Sequence, residues 1–405
     1  MTSLAITGGR LILGDRVESA SLLIEDGRIA RIGGEVPTGV RIIDARGKHV
    51  APGIVDLGVF AIDLPAFTAG GITRAALMPD QSRPLDDVGL VQRAAAAGKP
   101  AVWIHPMAAA TRNLEGAELA EVALMQRGGA CAIATGRRRI ADSGVMYRLL
   151  AYAAAFDMLV VSHAEDEGLT ANAVATDGET ATRLGLASAP ASAEAIAIGR
   201  DIALAEETGA RLHFRQVTTA AGFRLIRAAK KRDVRVTCGV TPAHLLLSET
   251  AIGPFKTFAR LSPPLRSEDD RKATLDAVAD GTIDVICSGH DPRGPEAKRL
   301  PYADAEPGMS GAETLAALAL TLVRDGLVDL PRLFTLLSAN PARLLGLPGG
   351  TIAEGAEADL ILLDPDAPWI IDGETFVSTA GNTPFDALPV QGRVLTTIKG
   401  GQPLG

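Results

Sequence analysis

The chain is poor in the residues that build covalent or metal cross-links. Of 405 residues only three are cysteine, Cys131, Cys238 and Cys287, widely spaced and without a CxxC pair. That spacing excludes a disulfide framework or a cysteine-built zinc knuckle and fits a reducing cytoplasm. No apolar run reaches the roughly 18 residues of a membrane-spanning helix. The opening MTSLAITGGRLILGD has no basic segment leading into an apolar one, so no secretory signal and no membrane association are expected. Excess positive charge is also missing: 40 Lys and Arg face 48 Asp and Glu, a net charge of −8, which lacks the basic footprint of a nucleic-acid binder. The six histidines include no HxH and no i, i+4 pair, the spacings that set ligands on one face of a strand or helix.

What is present is a length sufficient for one large barrel and a smaller domain, with the 47% apolar and 22% charged content of a globular protein. The first fifty residues read as short strands with tight turns, in LAITGGRLIL, SLLIEDGRIARIG and RIIDARGKHVAPG. The last fifty read alike, in GTIAEGAEADLILLD and GRVLTTIKGG. Between them short apolar runs recur: GIVDLGVF, ITRAALMP, AVWIHPM, ACAIATG, MLVVSHA, RLHFRQV, VRVTCGV and IDVICSG. Helical stretches such as GVMYRLLAYAAAF and ASAEAIAIGRDIALAEET separate most of them. Eight strands with crossover helices are the pattern of a (β/α)8 TIM-type barrel. A doubly wound sheet would want a glycine-rich phosphate turn after an early strand, and none is present. The expected layout is a barrel over residues 53–345 and a composite β-sandwich of residues 1–52 and 346–405, with a shortened first helix.

Several ordered segments carry a resemblance. APGIVDLGVF is similar to the PG-x-x-D-x-H-x-H opening of dihydroorotases, and MPDQSRPLDD to their MPN segment. SHAEDEGL, LHFRQVTTAAG, VTCGVTPAHLLLSE, LSPPLRSEDDR and SGHDPRGPEAKRL follow in family order, then SANPARLLGL and NTPFDALPVQGRV. The chain resembles a dihydroorotase of the amidohydrolase superfamily over nearly its whole length.

The resemblance implies a zinc-dependent hydrolase, in which metal activates water and polarises an amide. The family's ligand positions are altered here. The HxH histidines stand at Gly58 and Phe60, and the fourth-strand metal-binding aspartate lies in a segment replaced by Thr135, Gly136 and Arg137. The sixth-strand histidine is Gln216, and the eighth-strand aspartate, ligand and general base, is Gly289. His163 alone keeps its family identity. Substrate contacts differ too: Asp80 and Ser262 replace asparagines, Arg293 a histidine, and the arginine after HxH is missing.

On this reading no catalytic residue and no cofactor is expected, and zinc would belong only to a remodelled site. Asp80, His163, His244, Ser262, His290 and Arg293 are expected to line a vestigial pocket. Taken singly, His163, His244 and His290 read as hydrogen-bonded loop anchors. Glu296 and Lys298 read as structural, Arg266 as bound to backbone or a carboxylate, and Asp359 as a turn residue. Arg137, Arg138 and Arg139 read as a solvated basic turn, or as guanidinium groups that with Arg293 replace a metal's charge or dock an acidic partner. The family includes silent chains that assemble with aspartate transcarbamoylase in pyrimidine synthesis. The resemblance implies that role and that partner for this chain, as a homodimer. The rivals are an active cyclic-amide hydrolase with a remodelled metal site and a metal-free small-molecule binding protein.

Overall fold

The computed structural model describes residues 3–404. Eight strands form one sheet in chain order, each parallel to the next: β1 (Ile54–Val59), β2 (Ile72–Leu77), β3 (Trp103–Ala109), β4 (Ala132–Ala134), β5 (Leu159–Ser162), β6 (Arg211–Phe214), β7 (Val236–Val240) and β8 (Val285–Ile286). Each lies on one of the eight apolar runs, β3 running two residues past AVWIHPM, because a strand buried on both faces reads as a continuous hydrophobic stretch. Leu57, Ala76, Met107, Ala132, Val161 and Val285 pack inside the barrel. Ile54, Ile72, Ile104, Ile133, Val160 and Leu212 face the helices outside.

Between β1 and β8 the seam is closed by side chain and backbone. Asp56, wholly buried, accepts hydrogen bonds from the Ser288 amide at 2.9 Å and from the Ser288 hydroxyl. The Phe60 amide donates to the His290 carbonyl at 2.9 Å. Burial pushes the Asp56 carboxyl above its usual range, against the pull of those donors.

The first crossover helix is short, Leu64–Gly70. Asp63 caps it weakly through the Ala66 amide at 3.4 Å, and its other oxygen accepts from the Thr379 amide and the Ser378 hydroxyl, both at 2.8 Å. That carboxylate ties the barrel mouth to the C-terminal segment. Among the longer helices, Ser192–Thr208 stops at Gly209 in the left-handed region, and Ala220–Lys230 is capped by Thr219.

The two ends of the chain share a six-stranded sheet. His49–Pro52 lies parallel to Arg10–Leu13 on one side and antiparallel to Leu360–Ile370 on the other. A four-stranded N-terminal sheet packs against it over Leu4, Ile6, Leu22, Ile24, Leu360 and Ile398. Asp359 does more than turn the chain there. It pairs at 2.8 Å with Arg74 of β2, each side chain 2% exposed, and accepts from the Gly400 amide at 2.8 Å. Arg74 also meets Glu357 and lies against the Trp103 ring. Among the described residues no helix is long and apolar enough to cross a membrane.

Removing one partner of a buried pair strands the other. Asp359→Ala is expected to cost about 3 kcal/mol in denaturant unfolding, and Arg74→Met combined with Asp359→Leu less than the two single costs together.

Candidate functional site at the barrel mouth

In a barrel of this kind the chemistry-bearing residues stand at the C-terminal strand ends. The pairing of β1 with β2 slips between Leu57 and Val59, and Gly58, at φ +107°, absorbs the bulge. A Cβ on Gly58 would meet the Arg215 Cδ at 3.4 Å, so the long side chain entering from the end of β6 fills the space beside it. Gly289, after β8, also has positive φ, +60°, and a Cβ there would sit 2.8 Å from Thr241 Cγ2. An aspartate at that position meets both backbone strain and a clash.

Phe60 is the centre of the mouth. The Arg137 guanidinium lies 3.9 Å from its ring centroid and that of Arg215 at 5.0 Å. Arg137 forms a two-pronged pair with Asp291, at 2.5 and 3.0 Å, and its amide donates to Asp80 at 2.8 Å. Arg215 is 3% exposed, and burial pulls its pKa below the ordinary arginine value. Its Nη2 lies 3.5 Å from His163 Nδ1 and its Nε has no hydrogen-bond partner. Asp80 is raised by burial, opposed by the Arg137 amide and by the charges of Arg137 and Arg215.

His163 Nε2 stands 3.3 Å from Glu165, which accepts from Arg266 at 2.9 Å. The Arg266 group lies 3.6 Å from Glu194, and Glu194 accepts from the amides and hydroxyls of Thr218 and Thr219. Burial works to raise Glu165, but His163 and Arg266 outweigh it and hold the carboxyl at about 2. Thr135 accepts from the His163 amide at 3.1 Å, stitching the ends of β4 and β5. His244 accepts from the Thr241 hydroxyl at 2.9 Å and donates to the Pro263 carbonyl at 3.1 Å, while burial lowers it to about 4. It is a neutral loop anchor.

The six residues expected to line one pocket separate. His163 and Ser262 line a cleft of about 710 Å³, together with Arg137, Arg138, Arg139 and Arg260. Ser262 and His244 also line a cavity of about 30 Å³ beneath it, with Phe60, Arg215, Gln216 and Gly289. That is room for one or two waters. Asp80 lies behind Arg137. His290 turns away from the mouth: its Nδ1 accepts from the Ala312 amide and its Nε2 lies 3.5 Å from Asp63. Arg293 binds Glu306 at 2.6 Å, shares Asp291 with Arg137 at 3.1 Å, and lines a neighbouring cavity. The three consecutive arginines also part company. Arg137 faces inward, Arg138 reaches Glu167 at 3.6 Å in solvent, and Arg139 pairs with Asp166 at 2.9 Å. Lys298 donates to the carbonyls of Thr257, Arg260 and Glu306, holding a loop.

Sequence reasoning missed Arg215, Asp291, Glu165 and Arg260. Signals existed for the first two: Arg215 sits beside the altered Gln216, and Asp291 stands in SGHDPR where the family motif has alanine. Among the described residues, no three His, Cys, Asp or Glu side chains converge to hold a metal ion. A catalytic zinc takes about three protein ligands plus water, and here His163 Nδ1 faces a guanidinium and Nε2 a carboxylate. The residues present do not fit zinc, and no step can be built through it.

The eight-stranded barrel with its two-ended sandwich is the architecture of the amidohydrolase family, and the comparisons agree. The chain belongs to the amidohydrolase family, whose profile matches residues 67–404. It is 40% identical over 417 residues to a dihydroorotase of Pelotomaculum thermopropionicum, covering 98% of this chain and 97% of that one. It is 38% identical to a dihydroorotase-like protein of Pseudomonas aeruginosa, covering 98% of each. Among solved structures it superposes on the L-hydantoinase of Arthrobacter aurescens with a TM-score of 0.89 at 26% identity, over 100% of this chain and 96% of that one. Within the family the chain is dihydroorotase-like along its length.

Because Glu165 is held below its ordinary value of 4.5, it stabilises the fold above that pH, and the contribution fades as pH falls toward about 2. Glu165→Gln should therefore unfold more easily at pH 7, with a shallower loss of stability between pH ~5 and ~2, read by chemical denaturation at each pH.

Proposed function

We propose that this chain is not a working hydrolase and that it serves pyrimidine synthesis by assembling with aspartate transcarbamoylase. The observation that carries the first half is the pair of guanidinium groups, Arg137 and Arg215, stacked about Phe60 at the mouth. A fixed positive charge there repels a divalent cation. The residue at the general-base position is Gly289, which has no side chain to take a proton. Thr241 and Met309 stand close to the missing Cβ and φ is positive, so an aspartate there would be strained.

The second half rests on the resemblance. The framework of a dihydroorotase is kept from end to end, and the curated relatives include both dihydroorotases and a dihydroorotase-like protein. A barrel core and a sandwich retained without their chemistry are surfaces kept for assembly. The chain by itself is expected to be a symmetric homodimer.

Three measurements test the reading. Elemental analysis of protein purified without chelator should find zinc well below one equivalent. Gly58→His with Phe60→His should recruit no zinc and restore no hydrolysis, while costing about 1–3 kcal/mol of stability from strain at Gly58 and crowding against Arg215. Light scattering and transcarbamoylase kinetics should reveal a larger assembly, or higher activity, in the mixture. A mixture that behaves as the sum of its parts defeats the assembly role, and stoichiometric metal with cyclic-amide hydrolysis defeats the reading as a whole.

A further inference from the structure

We propose that an apolar groove on the outside of the barrel, between the helix Leu315–Arg324 and the outer end of the C-terminal hairpin, binds a small carboxylate that carries an apolar chain. The site is separate from the barrel mouth and does not depend on the assembly role.

The groove arises from the way the hairpin meets the barrel. Strands Leu360–Ile370 and Pro389–Lys399 pair with each other to the hairpin's outer end, but His49–Pro52 joins the first of them only over Leu360 to Leu363. Beyond Asp364 the hairpin is a two-stranded ribbon laid against the helix Leu315–Arg324. The contact is close at Gly392, where φ is +105° and a Cβ would lie 2.4 Å from Leu320 Cδ1. Trp369 is fixed on the ribbon by its Nε1, which donates to the Gly392 carbonyl at 2.9 Å. Toward the ribbon's tip the space beside the helix opens into a groove of about 700 Å³. Its floor is apolar: Leu318, Phe385 and Val390 belong to one buried cluster with Ala317 and Ile371. Its rim leaves Ile370 63% and Leu388 39% exposed. Large apolar side chains left together in water mark a binding surface.

Charge selects the class of ligand. Among the described residues, Arg324 is the one charged side chain that lines the groove, in a chain of net charge −8. It forms no ion pair among the described residues, and its Nη2 reaches only the Ala317 and Gln391 carbonyls, at 3.4 and 3.3 Å. A guanidinium at one end of an apolar trough matches a ligand with a head and a tail. The carboxylate takes the guanidinium fork, and the chain covers Leu247, Trp369 and Val390 and displaces water from them. A peptide strand fits less well. Pro365, Pro368 and Pro389 have no N–H and interrupt the ladder that an added strand would need. An acyl chain asks for no main-chain partner, and the groove's volume is that of a small-molecule site.

The test is calorimetric titration of the full chain with decanoate, below the concentration at which it forms micelles. Saturable one-to-one binding is expected. Octanoate and hexanoate should follow in falling order, each methylene contributing up to about fourfold in affinity when fully buried. Ile370→Asp, at an exposed position that the fold tolerates, should weaken decanoate by about tenfold or more through the lost apolar contact. Arg324→Gln should weaken decanoate about fivefold and leave the affinity for decanol unchanged, because only the charged head is affected. No saturable binding, no dependence on chain length, or decanoate binding that either variant leaves unchanged overturns the proposal. So does a chain that is dimeric in solution and becomes monomeric in Ile370→Asp, since the groove is then a contact between two copies. The titration contains neither metal nor transcarbamoylase, so its result stands apart from the assembly role.

Discussion

The barrel mouth is organised by the need to accommodate two guanidinium groups against one aromatic face. Phe60 supplies the face, Arg137 covers it at 3.9 Å and Arg215 approaches at 5.0 Å. Other features follow from that stack. The bulge at Gly58 leaves the Arg215 side chain its path, Asp291 fixes Arg137 through both prongs, and Asp80 receives the Arg137 amide. The stack also sets what chemistry is open to the site. Its two cations lie beside the carboxylates of Asp291 and Asp80, which offset their charge in a poorly solvated space.

The remainder of the molecule holds that mouth in shape through a few buried polar contacts between distant segments. Asp56 and Ser288 close the seam between the first and last strands. Asp63 fastens the first helix to Ser378 and Thr379, and Arg74 with Asp359 fastens the barrel to the sandwich. Glu165, Arg266 and Glu194 brace the loop beyond β5 against the helix that follows it. Each joins parts of the chain far apart in sequence, and each sits where an unpaired charge would be costly. The framework therefore has physical reasons to persist whether or not the mouth performs hydrolysis.

Similarity to dihydroorotases over 98% of the chain and a hydantoinase-like fold describe inheritance of architecture. Function is argued from the site, and on the proposed reading the mouth departs from the family pattern at several cooperating positions, as relaxed demand on one reaction would leave it. A fold kept intact around them is what a continuing demand on surfaces, or on a new ligand, would preserve.

The eight strands were readable from composition and run length, because a doubly covered parallel strand must be continuously apolar, and that property is local. The pairing of the two termini was readable from matching strand-rich ends. The sequence by itself determined which side chains are present at Gly58, Phe60, Gln216 and Gly289, and so which donors the mouth lacks. Tertiary structure alone decided that His290 turns aside, that Arg293 shares Asp291 with Arg137, that consecutive arginines take three different partners, and that Arg215 becomes the central cation. Those outcomes depend on rotamers and on contacts such as Arg137 with Asp291, 154 residues apart. Electrostatic pairing acts through space, and only the folded barrel brings such residues within reach of one another.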